Sequence, residues 1–315
     1  MTLSNSKNKQ KGVVIIVALF VMAFVAGIAY VMIGRLARDI HVSMLLIRQQ
    51  QAEYYAVGSI AWAKDKLQNN WIKQKRNRLI DLTPIEAPVI NVDGYQIRTT
   101  IYDLQSRFNI NSISKTGYQR SFEHLLQILF PNMSQSKRAS FILALQEWIN
   151  PNAPDTELSR YYLSLSKPYR SAHRLLISVS EMNLIKGMTA EMYQKLKNHI
   201  VALPKVTKIN LQTAPEIILM TLSPDMTLLA AKKIVKLREQ TPITSIPDFF
   251  NKNKKWLDHY HITSEMLTNV SDYFLVETHV KIENQHLVLY TLLNRSINRG
   301  IDVTVKQLWQ SKGNW

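Results

Sequence analysis

Val13 to Gly34 reads VVIIVALFVMAFVAGIAYVMIG, 22 residues without a charge. A helix rises 1.5 Å per residue, so about 20 apolar residues cross the hydrocarbon core of a bilayer. The stretch follows Lys7, Lys9, Lys11 and Gly12, and the first proline beyond it is Pro84. From Arg35 to Trp71 the apolar residues Leu36, Ile40, Met44, Ile47, Tyr54, Ala61 and Leu67 recur at helical spacings. Arg35, Arg38, Asp39, Arg48, Gln49 and Glu53 fill the other face. The pattern predicts a membrane-length helix that runs on into an amphipathic one, on the order of 85 Å from Val13 to Asn70.

Three readings fit residues 1–34. A cleaved secretory signal suits the basic leader, with Gly27-Ile28-Ala29 as a small-x-small cleavage site. An uncleaved signal anchor suits the length. The third is a prepilin-type leader cut between Gly12 and Val13, which leaves the apolar helix on the mature protein. Helical continuity through Trp71 favours the third, because a discarded signal needs none. The positive-inside bias is weak, since Arg35 and Arg38 flank the far end; a short N-terminus inside and a large domain outside is the expected topology.

The chain of 315 residues holds no cysteine, which excludes disulfides and thiolate chemistry. Its formal net charge is +16, and three of those charges sit in the leader. The basic runs Lys73 to Arg78 and Lys252 to Lys255 are isolated, so the surplus reads as a generally basic surface rather than a focused stripe.

Beyond the helix, Asn69 to Pro88 reads as a connecting loop. Val89 to Val92 and Tyr95 to Tyr102 alternate around Asp93-Gly94, the signature of a hairpin. DLQSRFNIN, Asp103 to Asn111, follows directly; its asparagines suit turns and caps, and Arg107 suits a partner at Asp103 or a carbonyl. Helical periods fill Phe122 to Leu129 and Lys137 to Ile149. Two more pairs are expected, around Lys186-Gly187-Met188-Thr189 and around Ser223-Pro224-Asp225, with short helical pieces from Pro242 to Asn269. Tyr273 to Ile282, Leu287 to Ile297 and Val303 to Leu308 alternate as strands.

The basic leader, Gly12 and the apolar helix resemble the type IV pilin-like proteins. In that family the fifth mature residue is usually glutamate, and Val17 stands at that position here. The minor pseudopilin K family of type II secretion characteristically lacks this acid. Three further segments resemble it: DLQSRFNIN, WINPNAPDTELSRYYLSL from Trp148 to Leu165, and NLQTAPEIILMTL from Asn210 to Leu222. The likeness runs from Gly12 to about Phe250.

The resemblance implies an α+β, pilin-like fold: a long N-terminal transmembrane helix packed on a small antiparallel sheet, with a large all-helical domain inserted between strands. It places the leader at 1–12, the membrane half of the helix at 13–34 and its outer half at 35–71. The sheet domain takes 72–107 and 270–315, and the insertion 108–269 carries helix-hairpin-helix repeats. It implies prepilin-peptidase cleavage after Gly12 and methylation of Val13, with Val17 marking a subunit that has nothing ahead of it. The expected partners are the I- and J-type minor pseudopilins and the pseudopilus shaft, at the inner membrane with the C-terminal domain in the periplasm. Family members bind calcium near Trp148 to Leu165, which makes Asn150, Asn152, Asp155 and Glu157 candidate ligands. Hard cations want several carboxylates, and Asn150 stands where aspartate is typical; a loop held by side-chain-to-backbone bonds is the competing reading.

No catalytic motif is present, and His259 and His261, beside Asp258, lack a third imidazole neighbour. Tyr161, Tyr162 and Tyr169 read as core or interface. Two other functions fit parts of the pattern: a membrane-tethered nucleic-acid binder using the helical hairpins, and a minor pilin of a type IV pilus. Asp225 at the tip of the second hairpin has the wrong sign for phosphate, so no nucleic acid is expected.

Overall fold

The structure is a computed structural model that describes residues 10–77, 84–153, 156–283, 285–298 and 302–313. Contacts divide the chain into two units, residues 1–55 and 56–315. One helix, α1 (Gln10–Asn77), contributes to both and outruns the expected end at Trp71. Within the first unit its apolar side chains stand exposed, Phe20 at 70% and Tyr30 at 82%. The helix that begins at Val13 is long and apolar enough to cross a membrane.

In the second unit α1 buries Ala56, Ile60, Ala63 and Leu67, a stripe at spacings of three and four that packs a helix against a flat partner. Ala61, placed on that stripe by the sequence periodicity, is exposed instead.

The strands β1 (Ile85–Glu86), β2 (Ile90–Val92) and β3 (Tyr95–Asp103) come first. Asp93 and Gly94 both take positive φ, 48° and 80°, as a tight hairpin turn requires. After a short pairing strand β4 (Phe108–Asn109) the chain enters a helical block: α2 (Thr116–Leu129), α3 (Gln135–Ile149), α4 (Glu157–Leu163) and α5 (Ala190–Leu196). The short strands β5 (Ile200–Val201) and β6 (Ile209–Asn210) follow, then α6 (Glu216–Met220), α7 (Leu228–Gln240), α8 (Ile246–His259) and β7 (Leu267–Thr268). The chain ends in β8 (Tyr273–Ile282), β9 (Gln285–Asn298) and β10 (Asp302–Lys312).

Further details differ from the sequence reading, and one is β1, which falls in the stretch read as a connecting loop. The segment Val179–Leu184 is 3-10 rather than α-helical, started by a capping box between Ser178 and Glu181. Gln285 and His286, expected in the turn, extend β9 instead.

The main sheet runs β1-β3-β8-β9-β10, all antiparallel, with β2 also on β3. Strands β3 and β8 are neighbours, so the helical block leaves the sheet at Asp103 and re-enters beside it, where Asp103 pairs with Phe274. This is the α+β plan the sequence predicted. One face of the sheet is apolar, with Ile97, Ile101, Phe274, Val276, Val280 and Leu293 buried. The other carries Tyr273, Leu275 and Leu292, which pack with Leu104, Val201 and Leu203 from the block. The block has its own core, in which Trp148, Tyr162 and Tyr169 stack edge to face.

Arg295 on β9 is fully buried and bolts helix to sheet. Its Nε and Nη2 donate to the Ser271 carbonyl at 3.2 and 2.9 Å, and its Nη1 donates to the Leu67 carbonyl of α1 at 3.4 Å. The guanidinium also lies 4.8 Å over the Phe274 ring.

Candidate functional site

Three places carry the sequence-derived candidates, and each has its own geometry. The first is the start of α1. Gly12 and Val13 lie within the helix, and Val17, at 55% exposure, presents no charge to its surroundings. A carboxylate at that depth would need a cationic partner, because an ion in a dry helix bundle is costly.

The second is the junction built by Asp103 to Asn111, where Asp103, Gln105, Asn109 and Asn111 make long-range hydrogen bonds. Asp103 is buried at the end of β3. Its Oδ1 accepts the Gln105 backbone N–H at 2.8 Å. Its Oδ2 accepts from Asn210 Nδ2 at 2.8 Å, Thr213 Oγ1 at 2.5 Å and Ser271 Oγ at 2.7 Å. Burial holds the Asp103 carboxyl above the usual carboxylate range, while the four donors pull it back. Two of the segments that resemble pseudopilin K, at Asp103 and at Asn210, therefore meet on one carboxylate.

The asparagines continue the seam. Asn109 Nδ2 donates to the Lys205 carbonyl at 2.7 Å, and its Oδ1 accepts the Leu203 N–H at 3.1 Å. Asn111 Nδ2 donates to the carbonyls of Leu176 and Leu203 at 2.9 and 2.8 Å, and its Oδ1 accepts the Leu176 N–H at 2.9 Å. A buried carboxamide that matches backbone donors and acceptors on two other segments closes groups that water cannot reach. Gln105 adds Nε2 to the Lys208 carbonyl at 3.0 Å and accepts the Asp272 N–H at 2.6 Å. The predicted Asp103–Arg107 pair does not form: Arg107 follows the 3-10 turn in extended backbone and lines a separate cavity. Asn210, Thr213, Ser271 and Arg295 were not singled out as site residues in the sequence.

The third place is the loop after α3. Asn150 caps that helix, and its Oδ1 accepts the Asn152 N–H at 3.0 Å. Glu147 Oε1 accepts the Thr156 hydroxyl and, at 3.3 Å, the Ser159 hydroxyl. Glu157 is exposed in the first turn of α4, and Asp155 lies outside the described residues. Among the described residues no group of three or more His, Asp or Glu gathers as metal ligands, the His259–His261 pair included. The described donors tie the loop to the start of α4.

The hairpin tip at Lys186-Gly187 is exposed. Lys186 Nζ sits 4.2 Å over the Tyr161 ring, and a Cβ on Gly187 would meet Phe141 at 3.5 Å. Asp225, at the second hairpin, donates its backbone N–H to Ser223 Oγ at 3.3 Å.

Comparison with known proteins bears on the same segments. A family model described as type II secretion system (T2SS), protein K, matches residues 106–205, and a second of that description matches residues 209–254. Over these residues the chain is similar to the type II secretion system protein K family. Proteins of that name from Pectobacterium carotovorum and Pseudomonas aeruginosa are 25% and 26% identical, covering 92% and 96% of this chain and 94% and 93% of their own lengths. The Klebsiella pneumoniae protein is 27% identical over 78% of the chain and 80% of its own. The fold is similar to a chain in the crystal structure of the GspK-GspI-GspJ complex from enterotoxigenic Escherichia coli: TM-score 0.64, 23% identity, 85% of this chain and 98% of that one. The first family match opens at Ser106, inside the junction motif, and the second opens at Ile209, beside Asn210. With this likeness, the apolar stretch from Val13 fits a membrane anchor.

Proposed function

We propose that this chain is the minor pseudopilin that caps a type II secretion pseudopilus, and that it works by packing rather than by turnover. The observation that carries this reading is α1: one unbroken helix whose stretch from Val13 to Gly34 is apolar and uncharged, Val17 included. Helices of that kind bundle side by side in a bilayer or fibre. A subunit stacked below another would need an acid to meet the charged N-terminus of the subunit above. Val17 dispenses with it, which suits the terminal position. The helical block, with a core of its own, is too large to stack along a shaft and is suited to the end of one.

The structural neighbour is a K protein crystallised with I and J proteins, and by that likeness we assign I- and J-type minor pseudopilins as partners. Prepilin-peptidase cleavage after Gly12, methylation of Val13, and a periplasmic sheet and helical block belong to the same proposal.

The mass of the protein purified from membranes tests it. The expected chain begins at Val13 and carries one added methyl group. A chain starting near Tyr30 would mean that the helix is discarded, and the proposal would fail. Val17→Glu is expected to leave membrane insertion intact and add little to assembly; strong incorporation of this variant along the shaft would overturn the tip argument.

A further inference from the structure

The outer face of the sheet and the helical block enclose a cavity of about 640 Å³. Two adjacent rungs of the sheet form one wall. Tyr102, Leu275, Leu292 and Trp309 lie in register across β3, β8, β9 and β10, and Thr100, Glu277, Tyr290 and Ser311 make the next rung. Of these, Tyr102, Tyr290 and Trp309 turn aromatic surface into the cavity. From the block come Arg107 and Lys197.

Arg107 is the anomaly. The residue is half-buried, and its guanidinium has no hydrogen-bond or ion-pair partner among the described residues. Burial lowers its pKa, with Tyr102 and Glu277 opposing that shift from a distance. Glu277 is the acid bordering the cavity, yet its Oε1 is bound 2.7 Å from His279 Nε2, and it makes no ion pair with Arg107. Desolvated cations in folded proteins are ordinarily matched by acceptors, and a guanidinium presents a fork of donors that fits a carboxylate in two parallel bonds. An aromatic wall beside that fork favours a carboxylate carried on an apolar or aromatic group.

We propose that this cavity is a binding site for such a carboxylate, with Arg107 as its anchor, Lys197 as a second cation at the rim, and Tyr102, Tyr290 and Trp309 holding the apolar portion. The site is independent of the tip assignment, since it rests on the sheet and block alone. The carboxylate is supplied either by a free small acid or by an acidic side chain within a peptide segment.

Isothermal titration of the full-length protein in detergent, with N-acetyl-phenylalanine as probe and its uncharged amide as control, tests the proposal. A blocked acetyl-Glu-Phe-amide serves as the second arm. Saturable binding of either acid is expected with Kd on the order of 1 mM, with the amide at least about tenfold weaker because the charge-assisted bonds are lost. The stronger arm identifies the source. Arg107→Met is expected to abolish binding and to leave the melting temperature unchanged or higher, since it removes an unpaired desolvated charge. Should that variant fail to fold, Arg107→Lys serves in its place: it keeps the charge, loses the fork, and is expected to weaken binding at least about threefold. Trp309→Phe removes the fluorescence change on titration while binding persists. The proposal is overturned if neither acid binds, if the amide binds as well as the acid, if a folded Arg107→Met variant still binds, or if a folded Arg107→Lys variant binds as tightly as the parent.

Discussion

Replacing Asp103 with alanine is the most direct way to ask whether the junction holds the block to the sheet. The change removes the acceptor of four hydrogen bonds, from Gln105 N, Asn210 Nδ2, Thr213 Oγ1 and Ser271 Oγ. Asn210 keeps a bond to Ser271 at 2.8 Å, and hydroxyls can rotate to new acceptors, so two or three donors are stranded rather than four. At about 1–3 kcal/mol for each unsatisfied buried donor, the expected loss is about 3–5 kcal/mol. For a unit of this size that lowers the melting temperature by about 10 °C.

Asp103→Asn is the finer probe. With its oxygen facing the three side-chain donors, its NH₂ group meets the Gln105 N–H, costing about 1–3 kcal/mol. The pH dependence then separates burial from hydrogen bonding. Because burial raises the carboxyl in the folded state, its contribution is complete below the unfolded pKa and declines as pH climbs toward the folded one. The asparagine variant has no such decline, so the gap between the two proteins should narrow as pH rises from the acid range. Thermal melts of full-length protein in detergent at a series of pH values measure both effects. An alanine variant within about 1 kcal/mol of the parent would refute the stitching argument. A gap that widens with pH would show that the donors outweigh burial.

Asn111→Leu is expected to cost about 2–4 kcal/mol, because it strands the Leu176 N–H and two carbonyls, and hydrogen exchange should open first at residues 176 and 203. Arg295→Met is expected to cost about 3 kcal/mol or more, seen as a lower melting temperature with accelerated proteolysis in α1 near Leu67; Arg295→Lys should recover little, since one ammonium cannot reach both the Ser271 and Leu67 carbonyls. Millimolar calcium is expected to move the melting temperature by less than about 1 °C, since Glu147 is already engaged; a rise of several degrees would point to an ion held through Asp155.

The broad plan was legible because local chemistry wrote it. Asp93-Gly94 supplies two residues at ease with positive φ between alternating runs, which leaves little else for that segment to be. The alternation in β8 to β10 and the uncharged run from Val13 were equally plain. The face of α1 was not, because YYAVGSIAWA places apolar residues around the whole helix and gives no single stripe to choose. The junction was half legible. DLQSRFNIN announced capping residues, but Asp103 finds Asn210, Thr213 and Ser271 more than a hundred residues away, and no spacing rule reaches that far. Sequence proximity suggested Arg107 as its partner; the 3-10 turn at Leu104–Ser106 and the extended backbone at Arg107 carry the two side chains to different places.

The adjacency of Asp103 and Phe274 has a topological consequence. Seen from the sheet, everything between β3 and β8 is a single hairpin connection, and a floppy chain of that length would raise the entropy of closure by about 3 kcal/mol over a tight turn. A block that folds with its own two ends side by side removes most of that penalty. Excising it and rejoining the strands with a four- or five-residue turn should leave a sheet and helix that still assemble, so the block is an appendage the underlying fold can carry or lose.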